Sequence, residues 1–233
     1  MAALERAHRG VLDRIAAAAR RAGRDSDRVL LVAVSKSVPV ERLRTAVAAG
    51  LTILGENRVQ EAESKAPLLH GVTWHLVGPL QSNKARRAVA VFSMIQSVDS
   101  GELARRLDRI AGELRPDAPL PVLLQVNVDR DPAKAGFSPE GVSAALSELL
   151  ALPSLRVEGL MTIGRLVRDP EEARPGFRAL RRLSEQLRSA HPRLGAELSM
   201  GMTDDFEVAV EEGASIVRVG RAIFGERPEA QAT

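Results

Sequence analysis

The chain contains neither cysteine nor tyrosine, and aromatic residues make up only 3% of its 233 residues. Without cysteine it can form no disulfide, no thiolate zinc site and no cysteine nucleophile, and no metal site is predicted. Its net charge is only +3, because arginines alternate with acidic residues along the predicted helices. A nucleic-acid surface normally needs stacking aromatics or a concentrated basic patch. Nucleic acid is therefore not expected as a partner.

Long apolar runs are also missing. No stretch approaches membrane-spanning length, and the amino terminus has no apolar core of the kind found in signal peptides. We therefore expect a soluble, cytoplasmic protein that does not bind membranes. Hydrophobic residues still make up 45% of the chain, which is enough for a sizeable core. The outer faces of the predicted helices are strongly charged, which favours a monomer.

A strand covered on both faces is predicted over Val29–Val34, because this run is continuously apolar and rich in branched residues. Lys36 follows it as the chain turns polar. In parallel α/β folds the carboxyl ends of the strands form the floor of the active site, where a desolvated lysine can attack a carbonyl. Lys36 is therefore a candidate nucleophile, and a plain surface lysine is the alternative.

Strand and helix patterns alternate eight times after a leading helix over Ala2–Ala22. Eight βα units in a domain of this length predict a (β/α)8 barrel. A doubly wound sheet is the competitor, but it has fewer strands and usually carries a glycine-rich turn after its first strand, which is absent here. Residues 1–233 are expected to form one domain, with the leading helix over 1–23 and the barrel over 29–225. The strands are predicted at Val29–Val34, Leu51–Leu54, Trp74–Val77, Phe92–Val98, Pro121–Val128, Arg156–Ile163, Glu197–Met200 and Ser215–Val219.

The loops after strands seven and eight are candidates for a phosphate site, as in many barrels of this class. Ser199 offers a hydroxyl, and Gly201 and Gly220 allow close approach of the backbone. Thr203 or Asp204 is expected to cap the helix that follows strand seven. Ordinary turns and caps are the alternative interpretation of both loops.

Two polar residues lie inside predicted strands. If Arg218 points into the barrel, it is a buried cation that needs an acceptor such as a ring nitrogen or a carboxylate. If it points outward, it forms a salt bridge to a helix. His75 also lies inside a predicted strand, where it is either a polar core residue or a catalytic one.

A Schiff-base lysine, a phosphate site and an arginine together describe a pocket for pyridoxal 5′-phosphate. The sequence also contains the motifs Ala33-Val-Ser-Lys36, Gly55-Glu-Asn-Arg-Val-Gln-Glu61, His75-Leu-Val-Gly-Pro-Leu-Gln-Ser-Asn-Lys84, Gly159-Leu-Met-Thr162, Leu198-Ser-Met-Gly-Met202 and Val217-Arg-Val-Gly-Arg-Ala-Ile-Phe-Gly225. In these motifs it resembles the pyridoxal phosphate homeostasis protein family, also called the YggS or PROSC family, from about Val32 to Gly225. That family is similar to the amino-terminal barrel of alanine racemase, a fold-type III pyridoxal phosphate protein.

The resemblance implies a role for each matching residue. Lys36 would hold the cofactor as a Schiff base. Ser199, Gly220 and Arg221 would bind its phosphate, the last two through backbone N–H groups. Arg218 would face the pyridine nitrogen, where an arginine disfavours protonation and weakens the ring as an electron sink. Asn57, His75 and Met161 would line the pocket near the ring, with Gly201 in the phosphate loop.

The sequence departs from the family pattern at two positions. Arg221 stands where the family often has a small residue, which is harmless if its contact is made through the backbone. Val38 stands where some members carry a second lysine, which puts transfer of the cofactor through that position in doubt. Lys84 and Lys134 are candidates for accessory capture of the cofactor, and solvated lysines are the alternative.

An amino-acid racemase of this fold needs a second acid or base on the opposite face of the cofactor, supplied by a tyrosine in the enzyme that the family resembles. This chain has no tyrosine, and we expect it to lack the carboxyl-terminal β domain that completes such a site. The expected function is therefore non-catalytic: storage, protection or delivery of the cofactor, with pyridoxal phosphate-dependent apo-enzymes as candidate recipients. One alternative is a single-base pyridoxal phosphate enzyme that uses His75 or Lys36. Another is a Schiff-base aldolase on phosphorylated sugars, which has no use for Arg218.

Overall fold

Eight parallel strands close into a barrel in a computed structural model that describes residues 2–165 and 167–226. Each strand pairs with the next along the chain, and the eighth pairs with the first. The predicted (β/α)8 barrel is thereby confirmed. The strands are β1 (Leu30–Val34), β2 (Ile53–Glu56), β3 (Thr73–Leu76), β4 (Met94–Val98), β5 (Leu120–Gln125), β6 (Leu155–Met161), β7 (Glu197–Ser199) and β8 (Ile216–Val219).

Helices surround this barrel, and two of them begin at serine caps. Ser100 and Ser138 cap their helices by accepting backbone N–H groups three residues on, from Leu103 and Gly141. No helix among the described residues is long and apolar enough to cross a bilayer. The helices are α1 (Ala2–Arg21), α2 (Val40–Ala48), α3 (Val59–Lys65), α4 (Ala85–Val91), α5 (Gly101–Leu114), α6 (Pro139–Leu150), α7 (Arg174–Ala190), α8 (Phe206–Glu211) and α9 (Arg221–Phe224), with short 3₁₀ turns at Ser26–Arg28, Ala66–Leu68, Ser82–Lys84 and Pro170–Ala173.

The leading helix α1 packs on the outside of the barrel, against α8 and α9. Its buried residues recur at helical spacing and include Val11 and Ile15. Gly23 ends it at a φ of +64°, a conformation that glycine adopts without steric cost. The helix therefore covers the last βα units, where the chain closes the barrel.

The core has two layers, because side chains alternate between the two faces of each strand. One face of each strand packs against the helices, as Ala33 and Leu54 do. The other face fills the barrel, where a separate cluster is formed by Val32, Val77, Leu123, Met161 and Ile216. A residue's parity along its strand therefore decides whether it faces the barrel interior.

The predicted position of the second strand was wrong by two residues at each end. The prediction ended this strand at Leu54 and placed Gly55 in the segment that follows, but β2 runs over Ile53–Glu56. A Cβ added at Gly55 would lie 2.8 Å from Cγ1 of Val32 inside the barrel, so the crowded interior requires glycine there. At the other strands the differences also concern the ends, and the fifth strand stops three residues early, at Gln125.

Candidate functional site

Lys36 lies two residues beyond the end of β1, at the carboxyl-end opening of the barrel. Val32 and Val34 face the interior, and Lys36 continues this series. Its side chain is half-buried, and the next residue, Ser37, has a φ of 63°, which is unusual for a residue other than glycine. The turn that carries Lys36 is therefore a constrained one.

Arg218 lies inside the barrel and is only 4% exposed, which decides between the two orientations predicted for it. Its Nη1 donates to Ser199 Oγ at 2.6 Å, and its Nη2 donates to the Thr162 carbonyl oxygen at 2.8 Å. Burial lowers the pKa of Arg218 to about 10, against the opposing charge of Asp205. The guanidinium is therefore still a cation at neutral pH.

The hydrogen bonds continue from Arg218 across the barrel interior. Ser199 Oγ donates to Gln96 Oε1 at 2.7 Å, and Gln96 Nε2 lies 3.0 Å from His75 Nδ1. A continuous series of hydrogen bonds therefore joins His75, Gln96, Ser199 and Arg218. Because the Gln96 amide donates to Nδ1, His75 accepts there and carries its hydrogen on Nε2. Sequence reasoning missed Gln96, although it interrupts the apolar pattern of β4 at an inward position.

Burial lowers the pKa of His75 to about 4, so the imidazole is neutral at physiological pH. Its lone pair at Nδ1 is already engaged by Gln96. A histidine that is buried, neutral and bonded in this way is a weak candidate for a general base. The structure therefore gives His75 the character of a polar core residue.

The low pKa of His75 predicts a loss of stability in mild acid. Between pH 6.5 and about 4 the unfolded chain binds a proton at this histidine and the folded protein does not, so stability falls as the pH decreases through this window. Between pH 7 and pH 4.5 we expect His75 to account for a loss of about 2 to 3 kcal/mol. Urea unfolding of the wild type and of His75→Gln at both pH values measures it. Equal losses in the two proteins would contradict the assignment.

The loop after β8 leads directly into α9 through Gly220. Backbone N–H groups in the first turn of a helix have no acceptor within it, and those of Gly220 and Arg221 lie at this start. The Arg221 side chain is exposed and pairs with Asp204 and Glu226. The Arg221 guanidinium is therefore paired at the surface, and only the backbone N–H of this residue is left to contact a ligand.

The loop after β7 is organised by Asp205, and the expectation that Thr203 or Asp204 caps the next helix was wrong. Asp205 is the residue before α8, and its Oδ1 accepts the Met202 N–H at 2.6 Å. Burial raises the pKa of Asp205, and the nearby Arg218 charge opposes this rise. Asp205 is thus the buried counter-charge that sequence reasoning missed.

Gly201 and Ser199 have structural partners in the same region. Gly201 has a φ of +89°, and a Cβ there would lie 2.5 Å from the Cβ of Ala209, so the packing of α8 explains the glycine. The single Ser199 hydroxyl proton is donated to Gln96. Donation by this hydroxyl to a phosphate would require that it leave Gln96.

The other predicted residues lie at or near the same end of the barrel. Asn57 directly follows β2 and is half-buried, and a Cβ added at Gly78 would lie 2.5 Å from its carbonyl oxygen. Met161 ends β6 and belongs to the interior cluster. His75 pairs in register with Gly55, so it lies two residues deeper than the level of Asn57.

Neither accessory lysine is fully solvated. Lys84 ends a 3₁₀ turn and is half-buried. Lys134 Nζ donates to the Ile163 carbonyl oxygen at 3.2 Å and lies 3.5 Å from Asp129 Oδ2. Within residues 2–165 and 167–226, no group of histidine, aspartate and glutamate side chains is placed to hold a metal ion.

A buried ion pair lies directly behind the Lys36 turn and was not predicted. Glu56, the last residue of β2, is inaccessible to solvent, and its Oε1 lies 2.7 Å from Lys65 Nζ. Burial raises the pKa of Glu56, and its bonds to Lys65 and Ser35 oppose the rise. The signal was a glutamate within a buried strand, with Glu61 and Lys65 at helical spacing downstream.

These features define a class: a closed (β/α)8 barrel with a lysine after the first strand, a buried arginine inside the last, and a helix amino terminus beyond it. The family model described as alanine racemase, N-terminal domain, matches residues 11–228, and the chain belongs to this family. Within it, the chain is 42% identical over 229 residues to the pyridoxal phosphate homeostasis protein of Aquifex aeolicus, covering 97% of this chain and 99% of the relative.

Solved structures agree with this assignment. PipY of Synechococcus elongatus PCC7942, with pyridoxal phosphate (PLP) bound, is 44% identical with a TM-score of 0.81, and the match covers 92% of this chain and 100% of PipY. Alanine racemase of Clostridium difficile 630 has a TM-score of 0.75 at 14% identity, covering all of this chain and 59% of the racemase. The second likeness shows the shared barrel fold alone.

Proposed function

We propose that this chain binds pyridoxal 5′-phosphate at the carboxyl end of its barrel and holds it as a Schiff base on Lys36. We further propose that it serves vitamin B6 and amino-acid homeostasis inside the cell and is not an enzyme. The names of its relatives and the cofactor-bound PipY structure support the choice of ligand. The buried Arg218 cation carries the proposal within the molecule itself.

Arg218 fits the ring end of this cofactor. Among the described residues, its side chain has two hydrogen-bond acceptors, Ser199 Oγ and the Thr162 carbonyl oxygen, although a guanidinium has five N–H groups. A buried cation with donors to spare suits a neutral ring nitrogen as an additional acceptor. Because Arg218 keeps its charge at neutral pH, it disfavours a proton on that nitrogen.

The remaining roles follow from position. The Lys36 nitrogen bonds to the aldehyde carbon, and the aldehyde oxygen leaves as water with both amine hydrogens. The backbone N–H groups of Gly220 and Arg221, at the start of α9, are proposed to bind the phosphate together with Ser199. Gly201 shapes the neighbouring loop, and Asn57, His75 and Met161 are proposed to line the ring.

A non-catalytic role is supported by the surroundings of the ring. When bound, the cofactor supplies an aldehyde for amines and a ring that can accept electrons. Arg218 weakens the second property, His75 Nδ1 is engaged by Gln96, and the chain has no tyrosine or cysteine to act as a second base. We propose a monomer that holds the cofactor and releases it to pyridoxal phosphate-dependent apo-enzymes.

The test of this function is α-proton exchange. The purified protein loaded with pyridoxal 5′-phosphate is incubated with a panel of amino acids in deuterated water, beside the free cofactor at equal concentration. We expect no deuterium incorporation above the free-cofactor rate. Faster exchange that Lys36→Ala abolishes would show an enzyme instead. Borohydride trapping of a sugar phosphate on Lys36, in protein that takes up no cofactor, would indicate an aldolase.

A further inference from the structure

The ammonium group of Lys65 is buried directly behind the turn that carries Lys36. Its side chain is only 9% exposed. Its Nζ donates to the Ser35 carbonyl oxygen at 2.9 Å, to Glu56 Oε1 at 2.7 Å and to Glu61 Oε2 at 3.2 Å. All three ammonium hydrogens therefore have acceptors, and one of these acceptors belongs to the residue before Lys36.

The two carboxylates extend this contact to both sides of Lys36. Glu56 Oε1 accepts the Ser35 hydroxyl at 2.7 Å, and Glu61 Oε2 accepts the Ser37 backbone N–H at 2.9 Å. Ser37 has a φ of 63°, a conformation that residues other than glycine adopt only when their surroundings hold them there. The residues immediately before and after Lys36 are thus both fixed by one charged network.

Stability alone is a weak explanation for this arrangement. Charges that are buried on folding lose their hydration, and a buried ion pair often stabilises a protein no more than apolar residues of the same size. In addition, Glu56 Oε2 is buried without a hydrogen-bond partner among the described residues. The network does, however, fix the backbone on both sides of Lys36.

We propose that Glu56, Glu61 and Lys65 form a positioning cluster that holds the Lys36 amine in the orientation required for reaction with the aldehyde of the cofactor. This inference rests on the proposed function of Lys36. The cluster acts through Ser35 and Ser37, so its members are positioning residues and not catalytic ones. Removing the Glu61 carboxylate frees the Ser37 N–H, and should slow covalent capture without weakening the non-covalent contacts.

The test measures the effect of Glu61→Ala in two backgrounds, with Lys36 present and with Lys36→Ala. In the Lys36 background, the first-order rate of covalent capture at saturating pyridoxal 5′-phosphate is followed by borohydride quenching and intact mass, and we expect Glu61→Ala to slow it at least about tenfold. In the Lys36→Ala background, the affinity for non-covalently bound cofactor should change less than about twofold. An unchanged capture rate, or a slowing matched by a loss of non-covalent affinity of the same factor, would reduce the cluster to a structural role and overturn the inference.

Glu63→Ala is the matched control. Glu63 lies on the same helix, is 26% exposed against 27% for Glu61, and pairs with Arg87 away from the Lys36 turn. Glu63→Ala should therefore leave the rate of covalent capture unchanged. If Glu61→Ala does not fold, Glu61→Gln takes its place, with a slowing of at least about threefold, because a neutral amide accepts more weakly from Ser37 and Lys65.

A second readout needs no cofactor. Hydrogen exchange of the Ser37 amide should accelerate at least about tenfold in Glu61→Ala and stay unchanged in Glu63→Ala, because only the first variant removes its acceptor. If the wild type captures no cofactor, the proposed function fails and the inference falls with it. If the wild type captures cofactor and Glu61→Ala does so at the same rate, the inference alone fails.

Discussion

Replacing Lys36 with alanine is expected to weaken retention of pyridoxal 5′-phosphate by at least about 100-fold, because the covalent bond is lost and only the non-covalent contacts are left. Lys36 is proposed to form this bond because it follows β1 at the barrel opening, between two residues fixed by the positioning cluster. Equilibrium dialysis of the wild type and the variant measures the two affinities. The Arg218 and α9 contacts should still give the variant measurable binding.

Lys84→Ala and Lys134→Ala are the controls for this experiment. Neither residue follows an inward-facing strand position, and Lys134 Nζ already donates to the Ile163 carbonyl oxygen. Both variants should retain the cofactor within about threefold of the wild-type affinity. A large loss in either variant, with Lys36→Ala close to wild type, would assign the capturing amine to another position and refute the proposed site.

Replacing Lys65 with methionine is expected to destabilise the protein by about 3 to 5 kcal/mol, because it leaves the Glu56 carboxylate buried without its cation. Glu56 is inaccessible to solvent and its pKa is already raised by burial. Urea unfolding at pH 7 gives the change in free energy. The deficit should shrink as the pH falls, because the unpaired carboxyl then takes up a proton and loses its charge.

Two further variants isolate the cause of this effect. In Lys65→Met with Glu56→Gln the buried charge is gone, and most of the stability should return. Arg86→Met removes one partner of a surface pair with Glu113, in which both side chains are more than half exposed, and should cost less than about 1 kcal/mol. If the double variant is no more stable than Lys65→Met, packing of the lysine stem, and not the buried charge, accounts for the loss.

The barrel could be predicted from the sequence because each parallel strand is a short apolar run covered on both faces, and such runs alternate with amphipathic helices. Caps such as Ser100 and Ser138 are local signals, because each serine directly precedes the helix whose N–H group it accepts. Strand two was misplaced because the reason for Gly55 is not local. The Val32 side chain that excludes a Cβ there belongs to the neighbouring strand.

The candidate site could be predicted only in part. Lys36 and Gly220 were chosen as candidates because they follow strands, Arg218 because it lies within the last strand, and the family resemblance supported all three. The Ser199 bond to Gln96 joins residues 103 positions apart, and the direction in which Arg218 points depends on strand register. Neither follows from any local pattern. Glu56 and Lys65 are only nine residues apart. Their burial depends on the position of β2, however, and that position was predicted wrongly.

The most direct test of a Schiff base on Lys36 is to find which residue carries the cofactor. The wild-type protein is incubated with pyridoxal 5′-phosphate, reduced with borohydride, digested and mapped by mass spectrometry, with the visible spectrum recorded before and after reduction. We expect a yellow band that reduction bleaches and a single reduced adduct on Lys36. A protein that stays colourless, or an adduct spread over surface lysines with Lys36 unmodified, would contradict it.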